Sequence, residues 1–183
     1  PVGIGVAFYL SEYAGDRTQR IVKPLIETLA SIPSVVLGLF AISFIFPKIL
    51  QPIFADIGIF SLLAAGLGVG VLTVPIVASI SEDAMRAVPT ELREASYGLG
   101  ARKATTALRV VFPAAISGIS AALIVGVSRA IGETMVVFIA AGGSGGALFE
   151  SDPTEPGQTL TAAMASVGAG TDSVAGSGIA FQS

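Results

Sequence analysis

The segment IGIFSLLAAGLGVGVLTVPIVASI, residues 57–80, decides the fold class, because its 24 residues include no charged side chain. An α-helix of this length extends about 36 Å, which exceeds the roughly 30 Å hydrocarbon core of a bilayer. Pro75 should kink this helix, a distortion that membrane helices tolerate where neighbouring groups satisfy the freed carbonyl. The segment therefore predicts a transmembrane α-helix.

The composition of the whole chain agrees with a membrane location. Its 183 residues are 52% hydrophobic and 13% charged, with a mean hydropathy of +0.81, whereas a soluble domain usually has roughly 25% charged residues. The lack of cysteine and histidine excludes disulfide scaffolds, thiol chemistry and the commonest metal sites. A net charge of −3 without a basic face argues against a nucleic-acid partner. We therefore expect an all-α membrane helix bundle in a single domain, 1–183, that is not an enzyme.

Apolar segments on either side of residues 57–80 extend this interpretation. Residues 2–10 are typical of the end of a membrane helix, and residues 11–31 of an interfacial amphipathic helix. Residues 32–46, together with the residues from Leu25, are long enough to span, and Pro47 should close that helix. The chain begins inside an apolar run and residues 159–183 contain no convincing final span, so we expect a bundle that is incomplete at both ends.

Residues 113–143 form the longest weakly charged segment, which includes only Arg129 and Glu133 as charged residues. As one helix these residues would extend about 46 Å, well beyond the hydrocarbon core. The segment must therefore protrude, tilt or break, and Gly132 and Gly142-Gly143 are the candidate weak points. We expect the spanning helix to cover residues 114–137.

Basic residues are distributed unevenly among the connections. Residues 11–31 contain three Lys or Arg and residues 81–112 contain five, whereas the opposite connections contain only Lys48. Cytoplasmic loops of membrane proteins carry an excess of basic residues. Residues 81–112 are therefore predicted to be cytoplasmic, and the acidic, Gly- and Pro-rich residues 144–158 to form an extracytoplasmic loop.

The charged loop 81–112 contains the pattern Glu94-Ala95-Ser96-x3-Gly100-x9-Val110-x-Phe112-Pro113. This spacing resembles the EAA motif, EAA-x3-G-x9-I-x-L-P, of permease subunits in ATP-driven importers. We call residues 81–112 the EAA-like loop. We expect a helix to start near Ser81, a second helix capped by Thr90 to end at a left-handed Gly98 or Gly100, and a third to run from Arg102. The competing hypothesis, a solvated charged loop, does not explain the interleaved apolar residues.

Arg129 and Glu133 are ionisable residues within a predicted span, where a charge costs at least about 2.5 kcal/mol. Their spacing of four residues predicts that both project from one helix face. One hypothesis is a neutralising pair that fixes helix packing. The other is that Arg129 attracts an anion, because a guanidinium matches an oxyanion well, while Glu133 orients the Arg or gates the path. The two hypotheses are compatible.

Further stretches resemble the PstC-type permease subunit of phosphate ABC importers: PVGIGVAFYLSEYA (1–14), SIPSVVLG (31–38), SRAIGETM (128–135) and EPGQTLT (155–161). The resemblance implies a type I importer permease of the MetI-like kind. It implies that Arg129, Glu133 and Thr134 line the substrate pathway and that Glu94, Ala95, Ser96 and Gly100 couple to an ATPase. The implied partners are a PstA-type permease, two cytoplasmic ATPase subunits that bind ATP and Mg²⁺ in place of this chain, and an extracytoplasmic phosphate-binding protein.

Several alternatives to a phosphate importer remain open on the sequence alone. The nearest alternative is a permease of the same kind of ATP-driven importer whose substrate is sulfate, molybdate or another oxyanion. A secondary anion carrier or channel would use Arg129 without needing the EAA-like spacing, and a carrier would normally contain repeated halves, of which none is convincing here. A membrane scaffold would use the charged loop only to recruit a soluble partner.

Overall fold

A computed structural model describes residues 1–54, 57–142 and 152–168, with side chains to residue 166. Within those residues every regular element is helical, which agrees with the predicted all-α fold. The helices are α1 (Val2–Glu12), α2 (Asp16–Ala30), α3 (Ser34–Phe40), α4 (Leu62–Arg86), α5 (Thr90–Gly98), α6 (Lys103–Thr106), α7 (Phe112–Ala114), α8 (Ile116–Ile131), α9 (Met135–Ala140) and α10 (Leu160–Gly168), with π-helical segments at Ala41–Leu50 and Ala107–Val111.

Helix α4 is the one described helix that by itself is long and apolar enough to cross a membrane. It lies later in the chain than predicted, because it begins at Leu62 rather than at residue 57 and continues to Arg86. The prediction of a separate helix start near Ser81 is therefore wrong. Ser81 and Glu82 are buried and remain in the helix, since Glu82 pairs with Lys23 and Arg86 and its charge does not force the helix to end.

Two backbone carbonyls cap the beginning of α4. The N–H of Leu62 donates to the carbonyl of Glu155 at 3.1 Å, and the N–H of Leu63 donates to that of Pro153 at 2.8 Å. The first N–H groups of a helix have no partner inside it. The described part of the predicted extracytoplasmic loop, residues 152–158, thus satisfies donors that would otherwise be exposed. Residues 144–151 of that loop and residues 169–183 lie outside the described residues.

The helix after α2 differs from the prediction in its ends. Residues 31–33 separate α2 from α3, so the residues from Leu25 do not form one helix with 34–46. Pro47 does not close the helix either, because α3 continues directly into the π-helical segment Ala41–Leu50. A proline ring clashes with the carbonyl four residues earlier in an α-helix. The wider π-helical turn changes that spacing, which lets the chain pass through Pro47 without ending.

The long apolar segment 113–143 breaks, as its length predicted. The helical segments Lys103–Ala114 and Ile116–Ile131 are bent by 67° at Ala115. Helix α8 then ends at Ile131, and α9 begins three residues after Gly132. The expectation of one helix over residues 114–137 is therefore wrong. The prediction of Gly132 as a weak point is confirmed, because the helix ends next to it. Gly142, with a φ of +87°, lies just beyond the end of α9. Gly143 lies outside the described residues.

The chain forms two compact units. The first unit comprises Pro1–Ser31 and Leu72–Arg129. Its core is an apolar cluster from α1, the end of α4 and residues 107–119: Ala7, Met85, Val88, Val111, Ala115 and Ile119. Glycines allow α8 to approach α4 closely. A Cβ at Gly118 would lie 2.4 Å from the Cβ of Ala84, and one at Gly126 would lie 2.6 Å from Val77 Cγ2.

The second unit comprises Ile32–Val71 and Ala130–Ser183. Its core joins the π-helical segment Ala41–Leu50, the start of α4, α9 and α10. Gly38 of α3 lies against Ile139 of α9, with 3.0 Å between the position of an added Cβ and Ile139 Cβ. Large apolar side chains remain exposed on both units, among them Ile124 and Ile131 of α8, at 67% and 70%. Contiguous exposed apolar surface is typical of contact with lipid or with another protein.

The close approach of α8 to α4 gives a test of the packing of the first unit. We expect Gly118→Ala to destabilise the protein by about 1–3 kcal/mol, because the new methyl group overlaps Ala84 and neither helix can yield without moving its backbone. Gly5→Ala is the matched control, since a Cβ at Gly5 meets no atom within 4 Å. Thermal unfolding in detergent, followed by circular dichroism, would measure both. Equal midpoints for the two variants would contradict the packing described.

Candidate functional site

The central helix of the EAA-like loop is α5, which ends in a glycine turn. Gly100 has a φ of +80°, in the left-handed region. Its N–H donates to the carbonyl of Tyr97 at 2.9 Å, and the N–H of Ala101 donates to that of Ser96 at 3.1 Å. This pair of hydrogen bonds is a Schellman motif with Gly100 just beyond the helix end. Of the two glycines predicted to end this helix, Gly100 is therefore the one that does so.

The second arm of the loop begins after the turn. Arg102 is extended and precedes α6, from which the chain continues through the π-helical segment Ala107–Val111 into α7. The predicted second and third helices, joined by a glycine turn, are therefore present between Thr90 and Ala114 as a helix–turn–helix whose second arm has mixed geometry. The prediction that Thr90 caps the second helix is wrong, because Thr90 is the first residue of α5 and Pro89 precedes it. Ser96 Oγ lies 2.8 Å from Thr106 Oγ1, which is fully buried. The hydroxyl that distinguishes Ser96 from the alanine of the EAA motif thus links the two arms.

The outer surface of α5 is available to a partner. No residue of α5 is buried, and Glu94, Ala95 and Gly100 are exposed. Leu99, at the tip of the turn, is 91% exposed. Exposed apolar side chains at Leu92, Tyr97 and Leu108 lie in the same loop. The loop therefore combines exposed acidic groups with an exposed apolar tip.

The inner side of α5 is attached by a buried ion pair. Arg93 Nη1 donates to Glu12 Oε1 at 2.7 Å, and Arg93 Nη2 donates to the carbonyl of Met85 at 2.9 Å. The Glu12 side chain is 1% exposed. One guanidinium thus connects α5 both to the end of α1 and to the last turn of α4. Nearby, Lys103 Nζ lies 5.5 Å from the centre of the Tyr13 ring, a cation–π distance.

A second group of charges connects α2 to the end of α4. Lys23 Nζ donates to Glu82 Oε2 at 2.6 Å and also pairs with Asp83, while Arg86 Nη1 lies 3.2 Å from Glu82 Oε1. Burial acts to lower the pKa of Lys23, but its hydrogen bonds to Asp83 and Glu82 and their negative charges outweigh that effect. The pKa of Lys23 is therefore raised, and the lysine stays charged at neutral pH.

The residues predicted to line the substrate path occupy different environments. Arg129 is exposed near the end of α8. Glu133 is buried, outside any helix, and its Oε1 accepts from the N–H of Val136 at 3.4 Å. Thr134 is half-buried and immediately precedes α9. The prediction that Arg129 and Glu133 share one helix face is wrong, because α8 ends at Ile131 and a spacing of four residues has that meaning only within a helix.

Three contacts in this region were not predicted from the sequence: Glu12 with Arg93, Lys23 with Glu82, and Ser96 with Thr106. Glu12 and Arg93 are separated by 81 residues, and Lys23 and Glu82 by 59. A local pattern such as i,i+4 spacing carries no information about pairs this far apart. The only available signal was the presence of acidic residues, Glu12 and Glu82, next to long apolar segments, where an unpaired charge is costly.

Comparison with known proteins assigns the family. The profile described as "Binding-protein-dependent transport system inner membrane component" matches residues 1–180. The chain belongs to this family. The chain also spans about half the length of the curated relatives it matches. The family is one of transport permeases of the inner membrane, in agreement with the fold class and with the resemblance seen in the sequence.

Relatives within this family include several phosphate permeases. The chain is 36% identical over 161 residues to the probable ABC transporter permease protein YqgH of Bacillus subtilis. These aligned residues cover 88% of the chain and 51% of YqgH. The chain is 37% identical over 143 residues to the phosphate transport system permease protein PstA 1 of Mycobacterium tuberculosis, covering 78% and 44%. It is 31% identical over 183 residues to PstC of Xylella fastidiosa, covering 90% and 56%. The similarity thus includes PstC, as expected, and also PstA.

The glycine turn of the EAA-like loop can be tested with a matched pair. We expect Gly100→Ala to destabilise the turn by about 1–2 kcal/mol, because φ is +80° there and an L side chain is strained in that conformation. Gly98→Ala should be neutral or stabilising, since Gly98 is helical and a Cβ there meets no atom within 4 Å. Hydrogen exchange of the Ala101 amide, which depends on the Schellman motif, measures the effect. Equal protection in both variants would contradict the assignment.

Proposed function

We propose that this chain is part of a permease subunit of an ATP-driven phosphate importer, and that its EAA-like loop binds a separate ATPase. The observation that carries the proposal is the exposed helix–turn–helix of that loop in a chain of this family. Glu94 and Ala95 face outward, Gly100 forms the turn, and Leu99 forms an exposed apolar tip. A rigid projection with apolar and acidic groups suits a groove on a soluble partner.

The location of the loop is argued from charge. Eight of the ten Lys and Arg residues lie in 11–31 and 81–112, the segments that we assign to the cytoplasmic side. This assignment follows the positive-inside rule and is independent of the EAA-like spacing. With this orientation, the ATPase binds the loop on the cytoplasmic side of the membrane, where its ATP and Mg²⁺ are available.

The transport cycle that we propose is the one that the resemblance to ATP-driven importers implies. ATP binding closes the ATPase dimer and brings the two permeases' loops together, and the helices then open outward. An extracytoplasmic binding protein delivers the anion, and hydrolysis returns the helices to the inward-open state. This chain supplies one half of the path, and a related permease supplies the other. Relatives named PstC and PstA both match the chain, so phosphate is the cargo that their names support.

Arg129, Glu133 and Thr134 are the residues that we assign to the substrate path. Arg129 is exposed on α8, so its guanidinium is available to an anion or to the partner permease. An arginine that faced lipid would leave its charge uncompensated, which argues for a position toward the partner permease. Glu133 is buried beside α9 and is held by the N–H of Val136, so it suits a fixed wall or a gate.

A closely related function is transport of sulfate, molybdate or another oxyanion by the same mechanism. The guanidinium of Arg129 would interact with any of these tetrahedral anions. Uptake of labelled phosphate by the complete transporter, with the other oxyanions as competitors, distinguishes them. Competition by sulfate or molybdate at concentrations as low as those effective for unlabelled phosphate would favour this second function.

The ATPase contact can be tested by charge reversal in the full-length subunit. We expect Glu94→Lys to lower ATPase association and ATP-driven uptake by roughly tenfold or more, because it replaces an exposed acid of the docking helix with a base. Gly100→Pro should do the same, since proline cannot adopt a φ of +80°. Glu27→Lys, the same reversal on the exposed part of α2, is the control. Normal association and uptake in both loop variants would exclude this docking role.

The substrate path can be tested at Arg129. We expect Arg129→Gln to abolish most phosphate uptake while the complex still assembles, because it removes the positive charge but keeps much of the length. Arg129→Lys should retain part of the activity. Glu133→Gln keeps an oxygen for the N–H of Val136 and should be milder unless the carboxylate gates the path.

A purely structural pair predicts a different pattern at these positions. Either single change should then destabilise the complex, and the double variant Arg129→Glu with Glu133→Arg should restore both assembly and transport. Recovery of uptake in that double variant would exclude a direct role of Arg129 in attracting the anion.

A further inference from the structure

Few contacts attach α5 to the neighbouring helices through which it would transmit movement. A helix that transmits force needs firm contacts with the elements it moves, yet α5 buries no side chain completely. Its inward-facing polar contacts are those of Ser96 and Arg93. Ser96 connects α5 to Thr106 within the same loop. Arg93 connects α5 directly to α1 and to the end of α4.

The contacts of Arg93 have the geometry of a rigid connection. The guanidinium uses one nitrogen for Glu12 at 2.7 Å and the other for the Met85 carbonyl at 2.9 Å. Ser11 Oγ donates to the same Glu12 oxygen at 3.1 Å. A guanidinium group is planar and its N–H donors point in fixed directions, so its hydrogen bonds fix the orientation of the groups they join. With its two nitrogens engaged on two different helices, Arg93 restricts both the position and the rotation of α5.

The environment strengthens this connection. The Glu12 side chain is 1% exposed and that of Arg93 is 18% exposed, so water competes little for either charge. Met85 and Val88, both buried, belong to the apolar cluster that also includes Ala7 of α1. Charge-assisted hydrogen bonds are roughly twice as strong as neutral ones, and they are screened less when they are buried.

We propose that the Glu12–Arg93 pair is a positioning pair that transmits movement of the docking helix α5 to the membrane helix α1. This proposal rests on the proposed function of α5 in binding the ATPase. When the ATPase moves α5, the pair makes α1 and the end of α4 move with it. Without the pair, α5 follows the ATPase while α1 lags behind, and ATP is hydrolysed without an equal number of transport events.

The chemistry of the pair suggests variants that separate transmission from folding. A single neutral substitution leaves one charge buried without its partner, which is strongly destabilising. The double variant Glu12→Met with Arg93→Met leaves no buried charge, and replacement of a buried ion pair by apolar residues of similar volume is often neutral for stability. A pair with only a structural role is largely replaced by this double variant, whereas a connection that must bear load is weakened.

The experiment uses the complete transporter in proteoliposomes, with phosphate uptake and ATP hydrolysis measured on the same sample. We expect the double variant to assemble at the wild-type level and to hydrolyse ATP, but to transport about tenfold less phosphate per ATP. A tenfold effect corresponds to about 1.4 kcal/mol of coupling free energy between α5 and α1, which is about the contribution of one hydrogen bond to a charged group. Arg102→Gln, which removes an exposed positive charge from the same loop, is the control and should keep the wild-type ratio.

A second readout follows the movement directly. The chain contains no cysteine, so single thiols can be introduced for spin labels. Val2 of α1 and Thr90 of α5 are both exposed and can carry the labels. We expect the distance between them to stay constant when ATP is trapped in the wild-type transporter, and to change in the double variant.

The outcomes distinguish this proposal from the proposed function. A wild-type ratio of phosphate to ATP in the double variant overturns the positioning role and leaves ATPase docking intact. A loss of uptake that only follows a loss of assembled complex also overturns it. If the wild-type transporter shows no ATP-dependent phosphate uptake, the proposed function fails first, and the positioning role fails with it.

Discussion

The cost of burying an unpaired charge is the constraint on which the first unit depends. Two carboxylates, Glu12 and Glu82, lie buried at the ends of apolar helices, where each requires a cation. Arg93 pairs with Glu12, and Lys23 pairs with Glu82. Since Arg93 belongs to α5 and Lys23 to α2, the two pairs also determine where these largely exposed helices lie. The charges at the ends of α1 and α4 thus organise the amphipathic elements that contact them.

Polar attachment and an exposed outer surface depend on each other in the EAA-like loop. A helix packed by apolar side chains would bury part of its circumference, whereas α5 is held by Arg93 and Ser96 and leaves Glu94, Ala95 and the Leu99 tip exposed. The left-handed Gly100 allows the chain to reverse immediately after this surface. A Cβ at Gly100 would meet no atom within 4 Å, so the glycine is needed there for its backbone conformation.

The sequence predicted the features that depend on local physics. Most of the apolar segment 57–80, from Leu62 onward, forms one helix, and residues 113–143 were too long for one span. The spacing of Glu94 and Gly100 predicted a helix followed by a turn. Features set by distant contacts were not predictable. The continuation of α4 to Arg86 depends on Lys23, which lies 59 residues from Glu82 in the chain. The helix passes through Pro47 in a π-helical segment, and apolar periodicity does not reveal such a change of geometry.

The end of α8 changes how the candidate path is interpreted. A continuous helix would have tied Glu133 to Arg129, leaving the two charges to neutralise each other. Because α8 ends at Ile131, the carboxylate of Glu133 instead accepts from the N–H of Val136 at the start of α9. Thr161 of α10 also donates to the Glu133 carbonyl at 3.4 Å. The environment of Glu133 is thus set by α9 and α10, while Arg129 belongs to the end of α8, so each residue can have a separate role in an anion path. In the proposed anion path, the two residues therefore have different roles, an attracting charge at Arg129 and a fixed wall or gate at Glu133.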